Sequence, residues 1–394
     1  MSGTLPSRLE IPPAVLAIAT RLQEAGHDTW CVGGAVRDAL LGTPQSDFDL
    51  ATAATPEQVM ALFKRTVPVG VEFGTVGVFG DDRVLHEVTT FRHDVSTDGR
   101  RAVVKWGATI DEDLARRDFT INAIAYHPVR HEWRDLYRGK EDLAAGVIRA
   151  VGKPEERFRE DYLRILRGVR FAARLGFTFD PATWAAMLAE RPGIAKLSAE
   201  RVREEWFKSL RTARSLDALL TLWREVIAPT PWMPELRAGE PGELPVGVHR
   251  DPVLLTILLA DPAVELLTRL KCSNADIARA TEVARGPERP AGDDDRAVRR
   301  WMSAVGAAEE DLITLWHLRT RSPAPWAKAV QAIRSRGEAT SRGQLAVTGN
   351  ELIEAGIPKG PEVGRALDRL LDAVLDDPSL NTREALLARA RSHT

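Results

Sequence analysis

The chain has 394 residues, 44% apolar and 28% charged, which predicts two to four domains with real cores and excludes disorder as a description of the whole. Its 54 Lys and Arg nearly balance its 56 Asp and Glu, for a net charge of −2, so a nucleic-acid partner would have to meet a local concentration of positive charge. Cys31 and Cys272 stand far apart and neither sits at a zinc-ligand spacing, and no segment reaches the roughly 18 apolar residues of a membrane span. The expectation is a soluble cytoplasmic protein without a disulfide framework.

In chain order, residues 13–25 carry helical periodicity that ends at Gly26, and TWCVGGAVRDALLG passes from a strand through paired glycines into a helix. Phe48 to Leu50, Val76 to Phe79, Val84 to Phe91 and Val103 to Trp106 are rich in Val, Thr and Phe and are expected as neighbouring strands of one small sheet. From about residue 140 the pattern changes to amphipathic segments such as EDYLRILRGVRFAARLGF and SAERVREEWFKSLRTA, each closed by Gly or Pro. The stretch 228–252, rich in proline and glycine, and GPERPAGDDDR at 286–296 read as linkers.

Gly33-Gly34-Ala35-Val36-Arg37-Asp38 followed by Ser46-Asp47-Phe48-Asp49 is the strongest chemical signal. Two glycines between a strand and a helix let the backbone approach a phosphate, and Arg37 about one turn on adds a bidentate donor. Asp47 and Asp49, two apart on a strand, project from one face and can share divalent cations. Alone, the glycines equally suit a packing turn and the aspartates a solvated loop; together they favour a triphosphate and metal site.

These residues resemble the first motif of the nucleotidyltransferase superfamily, and within it the class II tRNA nucleotidyltransferase and bacterial poly(A) polymerase group, with the bacterial CCA-adding enzymes the most similar branch. The resemblance implies a triphosphate at Gly34 and Arg37, Mg²⁺ on Asp47 and Asp49, and a third catalytic carboxylate at Glu87 in HEVTTFR, although a lone Glu on a strand ordinarily just faces solvent. Arg116-Arg117-Asp118-Phe119-Thr120-Ile121-Asn122-Ala123 is similar to the family's RRDxxxNA motif. There Arg117 neutralises triphosphate charge, and Asp118 and Asn122, four apart on a helical turn, meet a ribose hydroxyl.

Glu160-Asp161-Tyr162-Leu163-Arg164 begins a stretch whose Asp161, Arg164, Arg167 and Arg170 fall on one side of a helix, with Leu163, Leu166 and Phe171 on another. Such a stripe is ordinarily a solvated face, yet a guanidinium and a carboxylate on adjacent turns can also read the hydrogen-bonding edge of a base. In the resembling family the EDxxR motif does so, which makes Asp161 and Arg164 a protein template for C and A, with Arg167 and Arg170 as further nucleotide contacts. Arg157, Arg159 and Arg174 make this region the most basic local stretch, consistent with tRNA phosphate nearby.

The 23 residues from His93 to Ala115 look like the flexible loop of CCA-adding and A-adding members, though Val95-Ser96-Thr97 lacks the aromatic residue that relatives often carry there. Glu72-Phe73-Gly74-Thr75-Val76 and Leu345 to Ala390 are similar to the tRNA enzymes, and Leu259-Ala260-Asp261-Pro262 stands where a phosphohydrolase would carry a His-Asp pair. The resemblance thus implies an α/β nucleotidyltransferase head (1–142), then an all-helical neck (143–227), body (228–292) and tail (293–394). Its expected activity is addition of CCA to the 3′ end of tRNA from CTP and ATP with Mg²⁺. The alternatives are A-addition beside a separate CC-adding enzyme, poly(A) synthesis, and an inactive RNA-binding protein.

Overall fold

The computed structural model describes residues 5–392 apart from 44–47, 71–73, 98–101, 240–241 and 246, with only the backbone for 93–97 and 102–106. The chain forms two compact units, Met1–Pro234 and Glu235–Thr394. In the first, α1 (Pro13–Glu24) opens on a proline whose fixed φ suits a first helical turn, and it buries Val15, Ile18, Ala19 and Leu22 on one face. The wholly buried β1 (Thr29–Val32) runs through Gly33 into α2 (Gly34–Leu40). After β2 (Asp49–Thr52), α3 (Pro56–Leu62) starts in a capping box of Thr55 and Gln58. Strands β3 (Thr66–Gly70), β4 (Thr75–Phe79) and β5 (Leu85–Thr90) follow.

Next come β6 (Arg92–Thr97), β7 (Ala102–Trp106), α4 (Ile110–Ala115), a 3₁₀ turn at Thr120–Asn122, β8 (Ala125–His127), β9 (Glu132–Arg134) and α5 (Gly139–Ala145). Seven strands form one sheet in the order β3-β4-β5-β2-β1-β8-β9, where β2 and β5 run parallel and the other neighbours antiparallel. One face is sealed by Trp30, Val32 and Ala51 against Phe91, Ile110 and Leu114. The segment Val103–Trp106, expected in this sheet, lies instead in a separate ribbon where β7 pairs with β6. A hairpin satisfies its own ladder, and strand composition does not say which edge a strand will join. The expected loop from His93 to Ala115 is thus, within the described residues, this ribbon followed by α4.

The helical part of the first unit contains β10 (Val147–Ile148), α6 (Pro154–Glu160), α7 (Leu163–Leu175), β11 (Thr178–Phe179), α8 (Pro181–Glu190), a 3₁₀ stretch at Arg191–Lys196, α9 (Ala199–Thr212) and α10 (Leu216–Ile227). Ile165, Leu166, Val169, Ala172 and Ala173 form the buried face of α7. Gly168 allows a close approach, because a side chain there would begin 2.9 Å from the ring of Phe119. The sequence placed Asp161 on the same helix as Arg164. Asp161 is instead extended (φ −155°, ψ 105°) between α6 and α7. The break is held by Tyr162, whose ring lies against Gly193 so closely that a Cβ there would fall 2.1 Å away.

The second unit is helical: α11 (Pro252–Leu259), α12 (Ala263–Arg269), α13 (Asn274–Arg285), α14 (Asp295–Val305), α15 (Glu309–Thr320), α16 (Ala327–Ser335), α17 (Gly349–Glu354), α18 (Pro361–Asp376) and α19 (Arg383–Arg391). Leu352, Ile357, Leu370, Val374 and Leu386 belong to a core shared by its last three helices.

Gly139, at the start of α5, lies so close to the Thr120–Asn122 turn that a Cβ would sit 2.2 Å from the Thr120 carbonyl oxygen. Backbone cannot yield as a flexible side chain can, so Gly139→Ala should destabilise the fold by about 1–3 kcal/mol. The measurement is the urea midpoint, and an unchanged midpoint would show that the turn can move.

Candidate active site

A cavity of about 550 Å³ opens where the first βα turn, the Arg116–Asn122 segment and the α7 stripe converge; nine arginines and three aspartates line it. Gly33 has φ +78°, open to glycine but strained for other residues. A side chain at this position would begin 3.2 Å from Arg117 Nη1 and 3.6 Å from Asp49 Oδ2. The turn therefore joins the glycine, the carboxylate and the arginine of separate motifs.

Arg37 is 2% exposed. Its Nε and Nη2 donate to Asp38 Oδ1 at 2.8 and 2.7 Å, and its Nη1 donates to Asn122 Oδ1 at 2.6 Å. Burial draws the Arg37 pKa down while Asp38 opposes this. Arg37 thus reaches the cavity wall as a pinned cation, with one N–H left on each terminal nitrogen.

Asp118 and Asn122 are both buried. Asn122 Nδ2 donates to Asp118 Oδ1 at 2.9 Å, as does the Phe119 amide at 2.8 Å, and Arg167 Nε donates to Asp118 Oδ2 at 2.8 Å. Burial alone would raise the Asp118 pKa, but Arg167, Asn122 and Arg164 outweigh it and hold the carboxyl at about 2. Arg117 Nη2 and the Nε and Nη2 of Arg116 all donate to Asp113, which is 1% exposed. Arg117 Nε is buried with no partner among the described residues.

Asp161 Oδ1 accepts from the Leu163 amide at 3.1 Å, and Asp161 Oδ2 accepts from Arg201 Nη2 at 2.7 Å. Arg164 Nη1 donates to the Arg157 carbonyl and to Glu160, and its Nη2 donates to the Arg116 carbonyl, at 3.0, 2.6 and 3.0 Å. Arg170 Nε donates to the buried Glu205 at 2.6 Å. The guanidinium carbons of Arg170, Arg37 and Arg167 lie 4.4, 5.0 and 5.4 Å from the centre of the Phe171 ring, a desolvated face that suits cations.

Of the sequence candidates, Gly33, Gly34, Arg37, Asp49, Arg117, Asp118, Asn122, Asp161, Arg164, Arg167 and Arg170 line one cavity. Glu87 stands outside that lining, exposed on β5. The parallel register pairs Leu50 with Val88, so one residue back Asp49 and Glu87 lie level on neighbouring strands and share a face. Asp47 lies outside the described residues, as do Glu72, Phe73 and residues 98–101 of the ribbon. Sequence reasoning gave Asp38, Asp113, Glu205 and Arg201 no role and placed Arg174 only in a basic stretch. Asp113 alone left a signal, its i+3 and i+4 spacing to Arg116 and Arg117.

Residues 29–149 match the model of the poly(A) polymerase head domain, residues 176–238 that of an RNA and SrmB-binding site of polymerase A, and residues 253–390 that of tRNA nucleotidyltransferase domain 2. The CCA-adding enzyme of Leuconostoc mesenteroides is 34% identical over 402 residues, which cover 95% of each chain. That of Lacticaseibacillus paracasei is 36% identical over 390 residues, covering 95% of this chain and 94% of its own. The chain belongs to the CCA-adding enzyme family. A crystal structure of the Bacillus stearothermophilus CCA-adding enzyme in complex with CTP has a TM-score of 0.80 at 33% identity, covering 97% of this chain and 98% of that one. The Thermotoga maritima CCA-adding enzyme complexed with tRNA, 20% identical with a TM-score of 0.63, shares the fold.

Nucleotidyltransferases of this family generally use a divalent metal. The carboxylates of Asp49 and Glu87, level on adjacent strands beside a cationic cavity, are hard oxygen donors of the kind such an ion takes.

The Asp118 pKa sets a pH dependence. A carboxyl at about 2 in the fold and near 3.9 when unfolded stabilises fully above pH ~4 and loses this contribution as the pH falls towards 2. Arg167→Gln should therefore destabilise the fold at neutral pH, and its deficit against the parent should shrink as the pH drops below 4. Urea titrations at pH 7, 4 and 2.5 measure this; a deficit independent of pH would remove Asp118 as its cause.

Proposed function

We propose that this nucleotidyltransferase adds C, C and A in turn to the 3′ end of tRNA, using CTP, ATP and Mg²⁺ and releasing pyrophosphate, in the cytoplasm. The observation that carries the reading is the cavity itself, where a donor and an acceptor, Arg164 and Asp161, face the same space as a wall of arginines. A triphosphate brings about four negative charges, and Arg37, Arg117 and their neighbours supply fixed positive ones with little reorganisation. Arg117 lines the cavity, where a phosphate oxygen can accept from its terminal nitrogens.

Cytosine and adenine each present a ring-nitrogen acceptor beside an exocyclic amino donor, which suits Arg164 and Asp161. Uracil and guanine present a carbonyl oxygen and a ring N–H at the corresponding places, so oxygen meets carboxylate and N–H meets guanidinium. This mismatch leaves buried polar groups unpaired, the condition under which a site discriminates strongly. One lone-pair position remains on Asp118 Oδ2 beside its bond from Arg167, and a ribose hydroxyl donates there.

Asp47 and Asp49 would hold Mg²⁺, which when bound lowers the pKa of the attacking hydroxyl and neutralises charge on the phosphates, with Glu87 as the third carboxylate assisting deprotonation of that hydroxyl. Asp49→Ala should abolish addition in Mg²⁺, because a hard oxygen donor to the ion is lost. Full turnover by this variant would remove the metal assignment.

The defining experiment offers CTP and ATP, singly and together, to tRNA lacking CCA and to tRNA ending in CC. The expected products are two C from CTP alone, CCA from both, and one A on the CC end. A addition alone would make the protein an A-adding enzyme, and a long A ladder a poly(A) polymerase. In the same assay Arg164→Ala should lower selection of CTP over UTP by about 10- to 100-fold, as expected for a lost hydrogen bond to a charged group. Retained selection would make α7 an RNA-backbone face.

A further inference from the structure

Helix α9 contributes two side chains, one turn apart, to the residues around α7. Glu205 accepts from Arg170 Nε at 2.6 Å, and Arg201 Nη2 donates to Asp161 Oδ2 at 2.7 Å. The stretch from Asp161 to Arg170 is thus held at both ends by one neighbouring helix. The two ends differ in kind. Glu205 is 2% exposed and is absent from the cavity lining, whereas Arg201 and Asp161 both line the cavity.

Asp161 needs an external hold because of where the chain puts it. Its backbone is extended in the break between α6 and α7, so it lacks the flanking helical turns that restrict a side chain's rotamers. The Leu163 amide fixes one carboxylate oxygen and Arg201 the other. Each oxygen keeps a further lone pair, so the arginine orients the carboxylate without consuming its capacity to accept from a base.

We infer that Arg201 is a specificity-positioning residue, which aims the Asp161 carboxylate at the exocyclic amino group of cytosine or adenine and keeps it where the carbonyl oxygen of uracil or guanine would be repelled. This rests on the reading of Asp161 and Arg164 as the base-selecting pair. A carboxylate held by the Leu163 amide alone can swing away, and a carbonyl-bearing base then meets less opposition. The loss falls on rejection of the wrong nucleotide more than on capture of the triphosphate.

The test measures kcat/KM for CTP, UTP, ATP and GTP on tRNA lacking CCA or ending in CC, together with inhibition by inorganic tripolyphosphate. The parent, Arg201→Ala, Arg201→Lys and Arg164→Ala are compared. Arg201→Ala should reduce the CTP/UTP and ATP/GTP ratios by about 10- to 100-fold, the range for one hydrogen bond to a charged group, with tripolyphosphate inhibition unchanged. Arg201→Lys, which retains a cationic donor, should recover part of both ratios. Equal loss with all four nucleotides and weaker tripolyphosphate inhibition would make Arg201 a phosphate contact and overturn the inference, as would unchanged ratios. If Arg164→Ala also leaves the ratios intact, it is the base-selecting reading that fails. If only Arg201→Ala does so, the present inference fails alone. Should Arg201→Ala not fold, Arg201→Met keeps an apolar stem comparable to the arginine's without its donors, and the same ratios decide.

Discussion

The ion pair between Asp118 and Arg167 is the constraint on which the site depends. Asp118 ends the Arg-Arg-Asp run after α4, Arg167 lies 49 residues later on α7, and their 2.8 Å contact makes the α7 stripe part of a wall begun by the sheet. Burying the carboxylate would be unfavourable alone, yet Arg167, Asn122 and the Phe119 amide satisfy it, and its pKa falls despite burial. The bond runs onward: Asn122 uses its amide hydrogen on Asp118 and its amide oxygen on Arg37. Arg37 is held in turn by Asp38, which also accepts from Arg174 on α7. A closed circuit of charge-assisted bonds thus ties α2, the Thr120–Asn122 turn and α7 together.

Concentrating arginines around one cavity raises a repulsion that the architecture meets from behind. Asp38 carries Arg37 and Arg174, Asp113 carries Arg116 and Arg117, Glu160 carries Arg164, and Glu205 carries Arg170. Each carboxylate fixes its guanidinium, while the Phe171 ring offers its face to three of them. The arrangement is preorganised: the acids stabilise the arginines in the absence of substrate, and the excess of cations on the cavity side is available to phosphate.

The parts legible in the sequence were those whose chemistry is local. Paired glycines before Arg37, Asp49 after them, the Arg-Arg-Asp run and the periodicity of α1 and α7 each declare themselves within a dozen residues. Two of the acids behind the arginines did not, since Asp38 meets Arg174 across 136 positions and Glu205 meets Arg170 across 35, and no local pattern encodes such a pairing. The helix break at Asp161 was invisible for the same reason: Tyr162 sits on Gly193, a tertiary contact that overrides the continuous helical pattern from Glu160 to Phe171. The β6–β7 ribbon shows the limit for strands, because Val-rich composition marks a strand without naming its partner.

In the base-selecting reading proposed for Asp161 and Arg164, the anchoring of Arg164 bears on how one pair would serve two bases of different size. Two of its hydrogen bonds go to backbone carbonyls, those of Arg157 and Arg116, so its position follows main chain and not a mobile side chain. Arg157 belongs to α6, whereas Arg116 caps the C-terminus of α4. Helix α4 begins four residues after the β6–β7 ribbon, with Gly107 at φ +88° in the connection. A displacement of the ribbon that moves α4 therefore carries the Arg116 carbonyl with it, and the Arg164 guanidinium must follow or break a bond. Asp161, held from α7 and α9, has no such link to α4. Movement along this route would leave the Asp118–Arg167 circuit intact. Because cytosine and adenine space their ring nitrogen and amino group alike and differ in how far that edge lies from the sugar, a shift that serves both bases would have to carry Asp161 along with Arg164.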